Sequence, residues 1–288
     1  TCPSTFYQNL LLIMSYLDRQ FPLDDPATAS LFDEVSVWCS RFGHLLLDNV
    51  PLRKSMSVLD VGCGTGFPLF ELAHRLDPSA RLTGIDTWAT AVERARWKKQ
   101  QFNLPNVEIL LGNAAKMPFA EKSFELVVSN LGINNFEDPA DVLSECYRVL
   151  NRPGKLCLTT NLEGHFLEFY SAFETTLKEL GKDDLLPKLK AQEQHRGTLE
   201  TVRELLEEAR FSVSKILKQN FSYRFANGTA LLNHCLTVIG FLPGWRSVLA
   251  GENEAAIFSH LEKKLNEQAD WDGELKMSVP MLYVEAVK

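Results

Sequence analysis

The 288-residue chain lacks several things that would have narrowed its function at once. None of its six cysteines (Cys2, Cys39, Cys63, Cys146, Cys157, Cys235) forms a CxxC pair or a His/Cys spacing of the metal-binding kind. They are scattered, several within apolar runs, so the expectation is no metal and buried thiols in a reducing compartment. A basic face is missing too: 30 Lys and Arg stand against 37 Asp and Glu, a formal net charge of −7, without a long stretch of bases. Nucleic acid is therefore disfavoured as a partner, because neutralising phosphates needs clustered cations. No apolar run reaches membrane length. "NLLLIMSYLDRQF" is broken by Asp18 and Arg19 and has no basic leader, so it reads as neither a signal peptide nor a membrane span. Cytoplasm is the expected compartment, and the "NGT" sequon at Asn227 carries no meaning there. The chain opens on Thr1, as expected of one trimmed or renumbered ahead of that residue. Internal repeats and low-complexity segments are absent.

What is present is enough apolar residue, 45% of the chain, to bury a full core, and a soluble globular enzyme is the default class. Over 55–160, short β-branched runs alternate with amphipathic stretches: strands at "SVLDVG", "RLTGID", "VEILLGN", "FELVVSN" and "GKLCLTT", helices at "FPLFELAHRL", "ATAVERARWKKQQF" and "DPADVLSECYRVL". Later strands are expected at "FSVSKILKQNFSYRF" and "PMLYVEAV". Alternation of this kind predicts an α/β fold with a doubly wound, mostly parallel seven-stranded sheet and ligands at the carboxyl ends of its strands. Ahead of it, a helix over 6–17 is followed by one whose apolar face runs through Leu31, Val35, Trp38, Phe42 and Leu45. After "LEFYSAFETTLKEL", also helical, come a polar loop at "AQEQHRGT" and a helix "TLETVRELLEEAR" started by Thr198 or Thr201. The expected organisation is an N-terminal helical lid over 1–50, a cofactor-binding core over 51–224 with 278–288, and a helical insertion over 225–277.

"VLDVGCGTGFPLFELA" marks where the first strand turns into a helix, with glycines at 62, 64 and 66. A dinucleotide site asks for GxGxxG, the third glycine letting the helix that receives a pyrophosphate pack closely. Here Phe67 occupies that third position, which favours a ligand without a pyrophosphate.

The stretch resembles motif I of the class I S-adenosylmethionine-dependent methyltransferases, an acid, one residue, then GxGxG. The resemblance implies a Rossmann-like methyltransferase fold with helical lid additions, and S-adenosylmethionine as cofactor, leaving S-adenosylhomocysteine. It implies that Asp60 organises the loop near the methionine ammonium while Gly62, Cys63, Gly64 and Gly66 let backbone approach the ligand. Asp86, 26 residues after Asp60 and closing "LTGID", resembles the acid that accepts from both ribose hydroxyls. Thr87 follows, and Trp88 would flank the adenine. "LGNAAKMPF" resembles the segment that reads the adenine edge, with Asn113 in place of the usual Asp and Ala114 next to it. Ser129, Asn130, Leu131 and Asn134, in "VVSNLGINNF", would border the sulfonium and the acceptor. "ECYRVLNRPGKLCLTT" is similar to the small-molecule branch that includes the quinone-biosynthesis methyltransferases. The NPPY or DPPY tetrapeptide of base and amide methylating members is replaced by "SNLG".

An activated methyl group needs little acid–base help when the acceptor is a carbanion, thiolate or free amine; a hydroxyl needs a base. His165 and His44 are the candidate bases, with Glu163 and His234 behind them. Trp38, Phe42, Phe225 and Trp245, with Phe241, supply aromatic surface for an apolar chamber over a small, partly apolar acceptor, and Arg196 and Arg224 could meet an acidic group. Two rival readings stay open: a non-catalytic cofactor-binding module acting through a partner protein, and a dinucleotide-dependent oxidoreductase.

Overall fold

The computed structural model describes residues 15–34, 37–249 and 251–288. Seven strands form one sheet: β1 (Ser57–Val61), β2 (Arg81–Asp86), β3 (Val107–Leu111), β4 (Phe124–Asn130), β5 (Leu150–Asn161), β6 (Ser212–Phe225) and β7 (Leu275–Val287), in the order β3-β2-β1-β4-β5-β7-β6. The pairs β1–β2, β2–β3, β1–β4 and β4–β5 are parallel. β7 runs antiparallel to β5, Asn161 opposite Met281. Val58 to Val61 and Leu126 to Asn130 are buried without interruption, because strands covered on both faces have no solvent side to alternate with. The expected doubly wound, mostly parallel seven-stranded sheet is therefore present.

Parallel strands must be joined by crossovers, and helices supply them: α3 (Leu69–Arg75), α4 (Ala89–Gln101) and α5 (Pro139–Val149). Asp138 caps α5 by accepting from the Asp141 amide, with Pro139 first in the helix, where its missing N–H costs nothing. Strand order reverses between β1 and β4, and in open α/β sheets it is outside the carboxyl ends of the strands at such a reversal that ligands bind.

The chain forms two compact units. The larger holds Leu23–Leu167, Glu193–Tyr223 and Met277–Lys288, with a core built on Leu59, Val127, Leu156 and Val284. The smaller holds Glu168–Gln192, Arg224–Lys276 and, of the described N-terminal residues, Ser15 to Pro22. Its aromatic core stacks Trp245 on Phe169 at 3.8 Å and sets Phe173 beside Phe258.

Two local expectations change. The N-terminal apolar face is carried by helix over Pro26–Glu34 (α1) and Val37–Leu47 (α2), and the two residues between those spans lie outside the described residues. Trp38, Phe42 and Leu45 are buried on α2, but Leu31 on α1 is 43% exposed. Val35 lies outside the described residues, as does most of the helix expected over 6–17, of which Ser15 to Asp18 form a turn. The "AQEQ" of the expected loop instead completes a helix, Leu186–Gln194, which follows α6 (Leu167–Glu179) and buries Leu189.

The helix Leu199–Glu208 starts in a reciprocal capping box, in which Thr198 accepts from the Thr201 amide and the Thr201 hydroxyl from that of Thr198. Thr198→Ala removes one partner of that box, so unfolding should become easier by about 1 kcal/mol. A melting temperature lower by roughly 2–4 °C in calorimetry checks it.

Candidate functional site

The carboxyl ends of β1 to β5 share one edge of the sheet, and most of the predicted site residues fall on it. Asp86 ends β2, and both of its oxygens accept backbone amides: Gly64 N donates to Oδ2 and Trp88 N to Oδ1, each at 2.8 Å. One carboxylate therefore ties the loop after β1 to the loop after β2, and each oxygen keeps a second lone pair. The glycine loop has positive φ at Gly62 (75°), Gly64 (49°) and Gly66 (102°). These glycines differ in what surrounds them. A Cβ on Gly66 would overlap the Phe70 ring, whereas one on Gly64 would meet nothing within 4 Å. Within the same loop, the buried Cys63 packs its sulfur on β2, where a Cβ on Gly84 would lie 2.8 Å from it. Burial, then the charges of Asp60 and Asp86, push that thiol well above its ordinary range.

Asp60, in β1, is completely buried, and neither carboxyl oxygen has a hydrogen-bond partner among the described residues. Burial and then the charge of Asp86 push its pKa up to about 8; the Leu69 amide opposes this without closing a hydrogen bond. An orphaned buried carboxyl is costly unless a ligand completes it. After β3, Asn113 turns its Oδ1 onto the Ala115 amide at 2.8 Å, which leaves its side-chain N–H pair for another partner; Ala114 is buried.

At the ends of β4 and β5, Ser129 Oγ donates to Val61 O at 2.8 Å. Asn130 accepts from Thr159 Oγ1 at 2.7 Å and donates to Cys39 O at 3.1 Å, which fastens α2 to the sheet edge. Leu131 follows with φ 66°, a left-handed conformation for a residue with a side chain. Asn134 donates to Asn161 Oδ1 at 2.8 Å. Trp38 lies in an aromatic cluster with Phe42 (5.2 Å between centroids), His165 (5.1 Å), Phe166, Phe221 and Tyr223. His165 is buried and stacked on Phe166, and burial with the nearby Arg196 charge hold its pKa well below the usual value.

A family model described as a methyltransferase domain matches residues 52–210. The chain belongs to that family. The demethylmenaquinone methyltransferase of Listeria welshimeri is 35% identical over 135 residues, which are 46% of this chain and 57% of that one. The chain thus spans little more than half the length of the curated relatives it matches. Among solved structures, one from Bacillus halodurans C-125 aligns with a TM-score of 0.58 at 19% identity, covering 85% of this chain and 98% of that chain. The phosphoethanolamine N-methyltransferase 2 of Haemonchus contortus, solved in complex with S-adenosyl-L-methionine, aligns with a TM-score of 0.55 at 17% identity, covering 96% of this chain and 60% of that chain. Both share the fold.

Several of the candidates have surroundings that the sequence did not announce. His44 is exposed on α2, away from the buried face that carries Trp38 and Phe42. Trp245 is 1% exposed in the core of the smaller unit, where packing on Phe169 and Phe241 accounts for it. Phe225 is buried in that unit against His234, itself half-buried with a pKa lowered by burial. Arg224 is exposed and pairs with Glu274 at 2.6 Å, so a neighbour already answers its charge. Glu163 is exposed and lines a hollow of about 420 Å³ with Leu167, Thr198, Glu200 and Lys218, a hollow that includes none of the glycine-loop residues. Trp88 does not stand free: its Nε1 donates to Leu23 O at 2.6 Å and its ring meets Phe32 edge-on at 5.4 Å. Thr87 is exposed beside it. Three aromatic residues of the larger unit join the cluster without having been candidates by sequence. Phe221 and Tyr223 alternate along β6 at the two-residue period that puts them on one face, a signal present in "NFSYRF". Phe166 follows His165 in a left-handed turn, φ 55°, which no spacing announces. Among the described residues, no group of three or more His, Cys, Asp or Glu could hold a metal ion, and no helix is long and apolar enough to cross a membrane.

The contrast between the glycines is testable. Gly64→Ala should fold with a small loss in melting temperature and bind S-adenosylhomocysteine roughly tenfold more weakly, a cost of about 1.4 kcal/mol, since the new methyl group projects into open space. Gly66→Ala should lose the fold itself. Calorimetric titration and thermal melts read both. Asp60 sets a pH dependence. Its carboxyl titrates near 4 when unfolded and about 8 when folded, so between those values only the folded chain holds the proton. Stability then falls as pH rises through that window, by up to about 1.4 kcal/mol per unit. Melting curves at pH 5 to 8 should fall more steeply for the unaltered ligand-free protein than for Asp60→Asn, and parallel curves would refute the assignment.

Proposed function

We propose that this protein is an S-adenosylmethionine-dependent methyltransferase acting in the cytoplasm on a small, partly apolar acceptor. The observation that carries the reading is the buried, unpartnered Asp60 carboxyl two residues ahead of a glycine loop whose Gly64 faces open space. A ligand with a cationic amine and a sugar diol fits that set: Asp60 for the ammonium, the second lone pairs of Asp86 for the ribose hydroxyls, and Asn113 with Ala114 for the adenine edge. When bound, S-adenosylmethionine supplies a methyl group already activated on a sulfonium. The chain's own task is to position the acceptor in line and keep water out. Ser129, Asn130 and Leu131 border that place, and the rings of Trp38, Phe42, Phe221 and Tyr223 supply the dry wall.

His165 bears on the nucleophile. An imidazole whose pKa burial holds below the usual value is a weaker base than a free one, so it is poorly suited to take a proton from an unactivated hydroxyl. That supports an acceptor that reaches the site already nucleophilic, such as an electron-rich ring carbon. The names of the Listeria relatives make reduced demethylmenaquinone the first acceptor to try.

Calorimetry with S-adenosylhomocysteine, followed by turnover assays on a panel of reduced quinones, thiols and amines, tests the reading. Asp86→Ala should weaken cofactor binding by roughly 1.5–3 kcal/mol, the worth of a charge-assisted hydrogen bond. Binding of reduced nicotinamide dinucleotide with none of S-adenosylhomocysteine would overturn the proposal. A melting temperature raised by S-adenosylhomocysteine without turnover of any acceptor would favour a non-catalytic module.

A further inference from the structure

The glycine loop is held from a second side by a residue outside the cofactor motifs. Thr65, between the two glycines of contrasting surroundings, donates its hydroxyl to Asp33 Oδ1 at 2.9 Å. Asp33 belongs to α1 and is 14% exposed at its side chain. It also takes Lys98 Nζ on Oδ1 at 2.7 Å and Arg94 Nε on Oδ2 at 3.0 Å. Those two cations stand one turn apart on α4, the helix that follows Asp86. Burial pulls the Asp33 carboxyl upward, but Lys98, then Thr65 and Arg94, outweigh it and hold the group below the usual range. The carbonyl of Leu23 adds a second tie, accepting from Trp88 Nε1 and Thr90 Oγ1, each at 2.6 Å.

Segment 23–34 is thereby strapped to the loops after β1 and after β2, the two that Asp86 also joins. We propose that Asp33 is a positioning residue for the methyl donor: through Thr65 it holds the glycine loop in the shape that leaves Gly64 open, and through Arg94 and Lys98 it fixes that loop to α4. The inference rests on the cofactor reading above. It adds a residue that does not touch the ligand, 32 residues from Thr65 along the chain.

The test compares the full chain with Asp33→Asn, Asp33→Glu, Thr65→Val and the double variant Asp33→Asn/Thr65→Val, titrating each with S-adenosylhomocysteine. Asp33→Asn and Thr65→Val should each raise Kd about tenfold and speed dissociation, and Asp33→Glu should recover part of the loss. Because the two residues share one hydrogen bond, the double variant should bind little worse than the weaker single variant. Where turnover is measurable, the loss should fall on KM for the methyl donor more than on kcat. Thr65→Val removes a single hydrogen bond and carries the test if Asp33→Asn fails to fold. Unchanged Kd in Thr65→Val, or losses that multiply in the double variant, would overturn the proposal while leaving the cofactor reading in place. Failure of the unaltered protein to bind S-adenosylhomocysteine would overturn both.

Discussion

The Asp86 carboxylate is the tie on which the rest of the site depends. A loop with three positive-φ glycines has a high conformational entropy to lose, and only fixed contacts keep it in one shape. Asp86 provides them by accepting the Gly64 amide from one loop and the Trp88 amide from the next. Because the acid ends β2 and β2 pairs in register with β1, sheet geometry brings the carboxylate to the loop. Asp33 repeats the arrangement from the outer side with side-chain donors in place of amides.

Much of this was legible because it is local. The apolar runs of the parallel strands, the GxGxG spacing and the acid closing "LTGID" are all short-range patterns, and the structure has the strands and turns they imply. What was not legible is what depends on distant packing. Asp33 looks like any helix-surface acid until the fold brings Thr65, Arg94 and Lys98 to it. Trp245 has the composition of a lid aromatic, yet the stack on Phe169 makes it core. His44 and Trp38 lie on the same helix, and only the direction of its buried face separates the exposed imidazole from the enclosed indole.

Two groups of the site, unlike the Asp86 carboxylate, are kept neutral. Asp60 stays protonated up to about pH 8, and the lowered pKa of His165 leaves it uncharged at neutral pH. A cation arriving beside Asp60 would favour the ionised carboxylate, so ligand binding and proton release are coupled there. At the aromatic end, an uncharged imidazole adds no field that would oppose an apolar guest.

Cys63 is a third group of the loop region kept neutral. A thiolate is a strong nucleophile, and a methyl sulfonium is an alkylating agent, so a reactive sulfur within the glycine loop would be a target for the very group the loop is proposed to hold. Burial beside two carboxyls keeps the Cys63 proton in place, and its sulfur packs on the backbone of Gly84. The residue fills space in the loop as a small, buried apolar group.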